Sequence, residues 1–109
     1  MLIEELPDMH FIHDVYWSKF AGDDPAKYLE LLGKAGRMTN VHFKDMKTEP
    51  KGDICHCGEG VIDFLPLAKI CKKYRMENIL VEQDNAPSLV DVFVQMKSSF
   101  DHLNPIVHI

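Results

Sequence analysis

Three short apolar runs, each closing on a residue that can bind a hard divalent cation, constrain this chain more than any other feature. They are Met9 to Asp14, Met38 to Lys44 (with His42 near its end) and Ile79 to Asp84 (with Glu82). Between them lie segments with helical signals. Asp24 is placed to cap a helix with Pro25 at its first position, Tyr28, Leu31, Leu32 and Ala35 share a face, and Gly36 is the stop. Asp63 caps a second helix with Phe64, Leu67, Ala68, Cys71 and Tyr74 on its apolar side, and Pro66 sits in the tolerant first turn. A third helix is expected from about Pro87 to His102, with Leu89, Val92, Phe93, Met96, Phe100 and Leu103 aligned; residues 104–109 read as a tail. The alternation strand, helix, strand, helix, strand, helix is that of right-handed parallel crossover units, and the intervals exclude tight hairpins between the runs.

Strand parity sharpens the chemistry. Alternate residues share a face, so His10, Ile12 and Asp14 go together, as do Asn40, His42 and Lys44, and Leu80, Glu82 and Asp84. Asp14, His42 and Glu82 can therefore project to one side at one end of a parallel sheet, where α/β enzymes build their active sites. Each has a plainer reading: Asp14 as a cap or turn residue, His42 as a satisfied core histidine. Glu82 resists one, because a carboxylate in a buried apolar run is costly unless paired or metal-bound. His10 and His13 have opposite parity and do not chelate together. Asp45 to Gly60 is a polar segment without helical periodicity, of a length commonly functional or mobile.

The chain has 109 residues, 46% apolar and 27% charged, the balance of one soluble globular domain. Twelve basic against seventeen acidic residues give a net charge of −5, and no basic stripe with interleaved aromatics occurs, so nucleic acid is a poor partner. No run approaches a membrane span and residues 1–20 lack the layout of a secretory signal, which makes a cytoplasmic location the expectation. Cys55, Cys57 and Cys71 fit neither a disulfide framework nor zinc-knuckle spacing and read as reduced thiols.

Five motifs in order, Asp14-Val-Tyr-Trp17 with Ala21 to Pro25, Val41-His-Phe-Lys-Asp45, Gly58-Glu59-Gly60, Ile62 to Phe64, and Val81 to Asp84, resemble the closing third of sugar phosphate isomerases/epimerases with the xylose-isomerase-like TIM barrel. The resemblance covers about Leu2 to Leu103. It implies a partial (β/α)8 barrel, about the last three strand–helix units, with residues 1–109 as a C-terminal fragment of that domain. It further implies one divalent metal, Mn, Mg, Co or Zn, held by Asp14, His42 and Glu82. Glu82 would double as acid/base, and Trp17, Lys44, Asp45 and Glu59 would lie around a sugar or sugar phosphate. The activity implied is isomerisation or epimerisation by proton transfer through an enediolate.

A whole barrel of this kind typically takes about 250 residues. The family's first metal-binding glutamate, which also serves proton transfer, has no counterpart here, and Leu2 to Pro7 look like the last turn of the helix before the sixth strand, as a truncation or internal start would leave it. Three parallel strands with all helices on one side also leave the other sheet face bare. Two alternatives follow: a noncatalytic remnant that self-associates through that face, and a metal-dependent phosphodiesterase of the same barrel superfamily, against which the acidic balance counts.

Overall fold

In a computed structural model the described residues are 2–76, 78–85 and 91–108. Three strands, β1 (Phe11–Asp14), β2 (Met38–Phe43) and β5 (Ile79–Val81), form one parallel sheet in the order β1-β2-β5. The register sets Asp14 opposite His42 and His42 opposite Leu80, and the ladder runs one residue further, with Glu82 donating its N–H to the Phe43 carbonyl at 3.1 Å. The helices are α1 (Leu2–Glu5), α2 (Val15–Phe20), α3 (Pro25–Ala35), α4 (Phe64–Lys73) and α5 (Val92–Val107), and a small antiparallel pair joins β3 (Asp45–Met46) to β4 (Ile54–Cys55).

Strand parity decides which face is core. Val41 and Phe43 are wholly buried, with Phe11, Ile79 and Val81 packed against the same cluster. The alternate residues point the other way: Ile12 is 59% and Leu80 46% exposed. Helices therefore cover one side of the sheet, the arrangement of part of a (β/α)8 barrel whose inner face is open. Burial of Leu29, Phe43 and Phe64 contributes about 1.5–3 kcal/mol each, with the two phenylalanine rings 5.0 Å apart.

Both expected caps form: Asp24 accepts the Ala26 N–H at 3.0 Å and Asp63 the Leu65 N–H at 3.2 Å, and Gly36 ends α3 in the left-handed region. The buried face of α4 is Phe64, Leu67, Ala68 and Cys71, as its spacing predicts. The face of α3 differs from expectation. Pro25, Leu29, Leu32 and Gly33 are buried, whereas Leu31 and Ala35 are exposed. Gly33 is the reason: a Cβ there would lie 2.4 Å from the Tyr74 ring, so the bare backbone lets α4 come close and turns the helix about that contact.

The last helix departs further. It runs through Pro105 to Val107, so residues 104–107 are helix rather than tail, with Ile106 and Val107 packed on the core one turn beyond Leu103. Its inward residues include Ser99, 1% exposed, whose hydroxyl accepts the Cys57 N–H at 2.9 Å. With Ser99 facing in, Phe93 and Phe100 face outward, 87% and 60% exposed. The expected start at Pro87, with Leu89, lies outside the described residues. Two elements carried no periodic signal long enough to read: the six-residue α2, and the β3–β4 hairpin inside the polar segment.

Candidate metal centre

Asp14, His42 and Glu82 meet at the C-terminal rim of the sheet. Asp14 ends β1, His42 is the penultimate residue of β2, and Glu82 follows β5 directly. One ligand atom from each lies within 4.8 Å of the other two. His42 Nδ1 is 3.1 Å from Glu82 Oε1 and 3.9 Å from Asp14 Oδ2. A divalent cation with bonds of about 2.0–2.2 Å sets neighbouring ligand atoms roughly 3 Å apart and opposite ones roughly 4 Å apart, so these separations suit one ion. One imidazole and two carboxylates form a borderline-to-hard donor set that fits such an ion without selecting its identity.

Asp14 satisfies its plainer reading as well. Its Oδ1 accepts the Trp17 N–H at 3.2 Å as the cap of α2, which leaves Oδ2 facing the cluster. Among the three side chains Glu82 is the most open, 34% exposed against 18% for Asp14 and 21% for His42.

Lys44, next on the same face, is 2% exposed. Its Nζ lies 3.1 Å from Asp14 Oδ2, 3.2 Å from Glu82 Oε2 and 2.7 Å from Asp84 Oδ2, beneath the rings of Tyr16 and Trp17 at 5.5 and 5.6 Å. Burial pulls the ammonium's pKa down, but the hydrogen bonds it donates to Asp84, Asp14 and Glu82 outweigh it and leave the group above its ordinary value. Three carboxylates against one ammonium give the rim a net negative formal charge, which suits a divalent cation. Asp84 and Tyr16 stand within the quoted motifs but were assigned no place in the site. Asp84 was legible as the residue two beyond Glu82 on the same face; no periodicity singled out Tyr16, whose hydroxyl donates to the Gly52 carbonyl and ties the hairpin to α2.

The other expected substrate neighbours part company. Trp17 is half exposed beside Lys44, at the edge of the cluster. Asp45 instead turns inward and is fully buried: Oδ1 accepts the Met46 and Ile62 N–H groups at 2.9 and 3.1 Å, and Oδ2 those of Gly58 and Gly60, both at 3.0 Å. With two backbone N–H groups on each oxygen, Asp45 organises the segment and points away from the cluster's rim. The Gly58-Glu59-Gly60 motif follows from this, since a Cβ on Gly60 would stand 2.1 Å from the Met46 carbonyl and 2.5 Å from Asp45 Oδ1. Glu59 pairs with Lys47 at 3.3 Å and His56 at 2.8 Å rather than with the cluster. His13 lies on the helix side, its Nε2 3.0 Å from the Ser18 hydroxyl, as parity requires. Cys55, Cys57 and Cys71 are buried free thiols, with Cys55 and Cys57 pushed up to about 12 by burial and by Asp45.

Fold and site together define a partial (β/α)8 barrel with a candidate metal-binding triad at the rim where such barrels carry their chemistry. No family model matches the chain, and no curated protein does. Among solved structures it is similar to a sugar phosphate isomerase/epimerase from Parabacteroides distasonis, with 25% identity and a TM-score of 0.71 over 90% of this chain and 32% of that one. The chain is thus similar to that protein over part of its barrel, and it spans about a third of that protein's length. Among the described residues no helix is long and apolar enough to cross a membrane.

Proposed function

We propose that the chain is the metal-bearing C-terminal part of a sugar or sugar-phosphate isomerase/epimerase of the xylose-isomerase-like type, working in the cytoplasm. The convergence of Asp14, His42 and Glu82 within 4.8 Å carries this reading. Asp14 Oδ2, His42 Nδ1 and a Glu82 oxygen would hold one divalent ion, Mn, Mg, Co or Zn, which when bound supplies Lewis-acid polarisation of a substrate carbonyl. Glu82, the ligand most open to the inner face, would accept the proton from the carbon beside that carbonyl, leaving an enediolate, and return it to the neighbouring carbon while the hydroxyl proton passes between the two oxygens, which completes an isomerisation; epimerisation would need a second acid on the opposite face to reprotonate the original carbon. Trp17 walls the substrate on the α2 side. Titration of the full chain with Mn²⁺ tests the site: Glu82→Ala is expected to weaken binding by at least tenfold, and equal affinity in the two proteins removes the assignment. Deuterium uptake from D₂O into the carbon-bound position beside a ketose carbonyl tests the chemistry.

A second reading has its own support. Ile12 and Leu80 leave the inner sheet face apolar and open, and parallel sheets are ordinarily covered on both sides. A noncatalytic chain that self-associates through this face predicts oligomers in light scattering and no exchange of carbon-bound hydrogen.

A further inference from the structure

The carboxylate oxygens at the rim are divided between two claimants. Asp14 has one oxygen left after capping α2, and that atom, Oδ2, faces both Lys44 Nζ at 3.1 Å and His42 Nδ1 at 3.9 Å. Glu82 splits evenly, Oε1 toward His42 at 3.1 Å and Oε2 toward Nζ at 3.2 Å. The shortest of the ammonium's contacts, 2.7 Å, goes to Asp84, which stands outside the triad. Lys44 cannot leave for solvent, because it is 2% exposed and lies under the rings of Tyr16 and Trp17. A dication on Asp14 Oδ2 would therefore meet a fixed positive charge a few ångströms away, and at that range repulsion is large even at an effective dielectric of about 20.

We propose that Lys44 is a positioning residue that substitutes for the divalent cation: its ammonium holds Asp14 and Glu82 together at the rim in the cation-free protein and rests on Asp84 when a cation takes their oxygens. The site then keeps its shape without metal, and the affinity for metal is set by how readily the ammonium yields. Asp84 is the anchor that lets it yield. This rests on the reading of Asp14, His42 and Glu82 as a metal site.

The test is calorimetric titration of the full chain with Mn²⁺ alone, with circular dichroism as the folding control. Lys44→Met is expected to bind Mn²⁺ at least about tenfold more tightly than the parent. In chelator it melts lower than the parent, and Mn²⁺ raises its midpoint by more. Lys44→Arg, which restores a cation, returns the affinity toward the parent value. Asp84→Asn, a half-exposed position that does not threaten folding, weakens Mn²⁺ binding at least fivefold when Lys44 is present and less in the Lys44→Met background, a coupling that simple loss of one negative charge does not produce. Equal or weaker binding by Lys44→Met overturns the proposal, as does an Asp84 effect that is the same in both backgrounds. Should the parent show no Mn²⁺ binding sensitive to Glu82→Ala, the metal site itself fails, and the proposal with it.

Discussion

Replacing Asp45 by asparagine changes one oxygen to an amide nitrogen and should cost a large part of the fold's stability. The carboxylate is fully buried and accepts four backbone N–H groups, two on each oxygen. Whichever orientation the asparagine takes, its NH₂ faces a pair of N–H donors, Met46 and Ile62 or Gly58 and Gly60. Two hydrogen bonds to a charged acceptor are lost, each worth about 1.5–3 kcal/mol, and two buried donors are left unsatisfied. The expected destabilisation is about 3–6 kcal/mol, against a total of about 5–15 kcal/mol for a domain. Urea unfolding followed by circular dichroism gives the number directly, and amide exchange should show protection lost first at residues 46 and 58–62. A destabilisation below about 1 kcal/mol would mean that the four bonds contribute no more than water does, and the account of this loop as a shell around a buried anion would be wrong.

Three further outcomes follow from the same structure. Gly60→Ala drives a methyl into the Met46 carbonyl and should cost about 1–3 kcal/mol in the same urea assay, whereas Gly22→Ala, where nothing lies within 4 Å, should avoid any clash and cost only its positive φ. Burial holds the Cys71 thiol up to about 11 against an ordinary 9.0, so the unfolded chain releases this proton first. Stability from that source is intact below pH 9 and gone by about pH 11, lost at up to about 1.4 kcal/mol per pH unit, and Cys71→Ala should flatten the decline relative to the parent. Phe93→Ser, at a position 87% exposed, should leave the unfolding free energy within about 0.5 kcal/mol; a larger loss would show that the outer face of α5 is covered in solution.

What the sequence made legible is what period and parity encode. The three parallel strands, their common face and the meeting of Asp14, His42 and Glu82 all follow from alternation along apolar runs, and Asp24, Gly36 and Asp63 act locally through their own backbone geometry. Errors arose where a distant partner decides the outcome. Gly33 counts for nothing on a hydrophobicity scale, yet its missing side chain sets the phase of α3 against Tyr74. Ser99 turns inward, bonded to an amide 42 residues away, and a pattern that ranks phenylalanine above serine places Leu103 correctly but Phe93 and Phe100 on the wrong side of α5. Asp45 and Glu59, both grouped by the family resemblance around a substrate, diverge because one is enclosed by loop amides and the other is engaged by Lys47 and His56.

The two oxygens of Asp14 look in opposite directions, one to the first turn of α2 and one to the rim. Anything that grips this carboxylate from the front pulls on the peptide that seats the Trp17 indole behind it. Indole fluorescence should therefore register what happens among the ligands without any added label, giving the protein a built-in optical gauge.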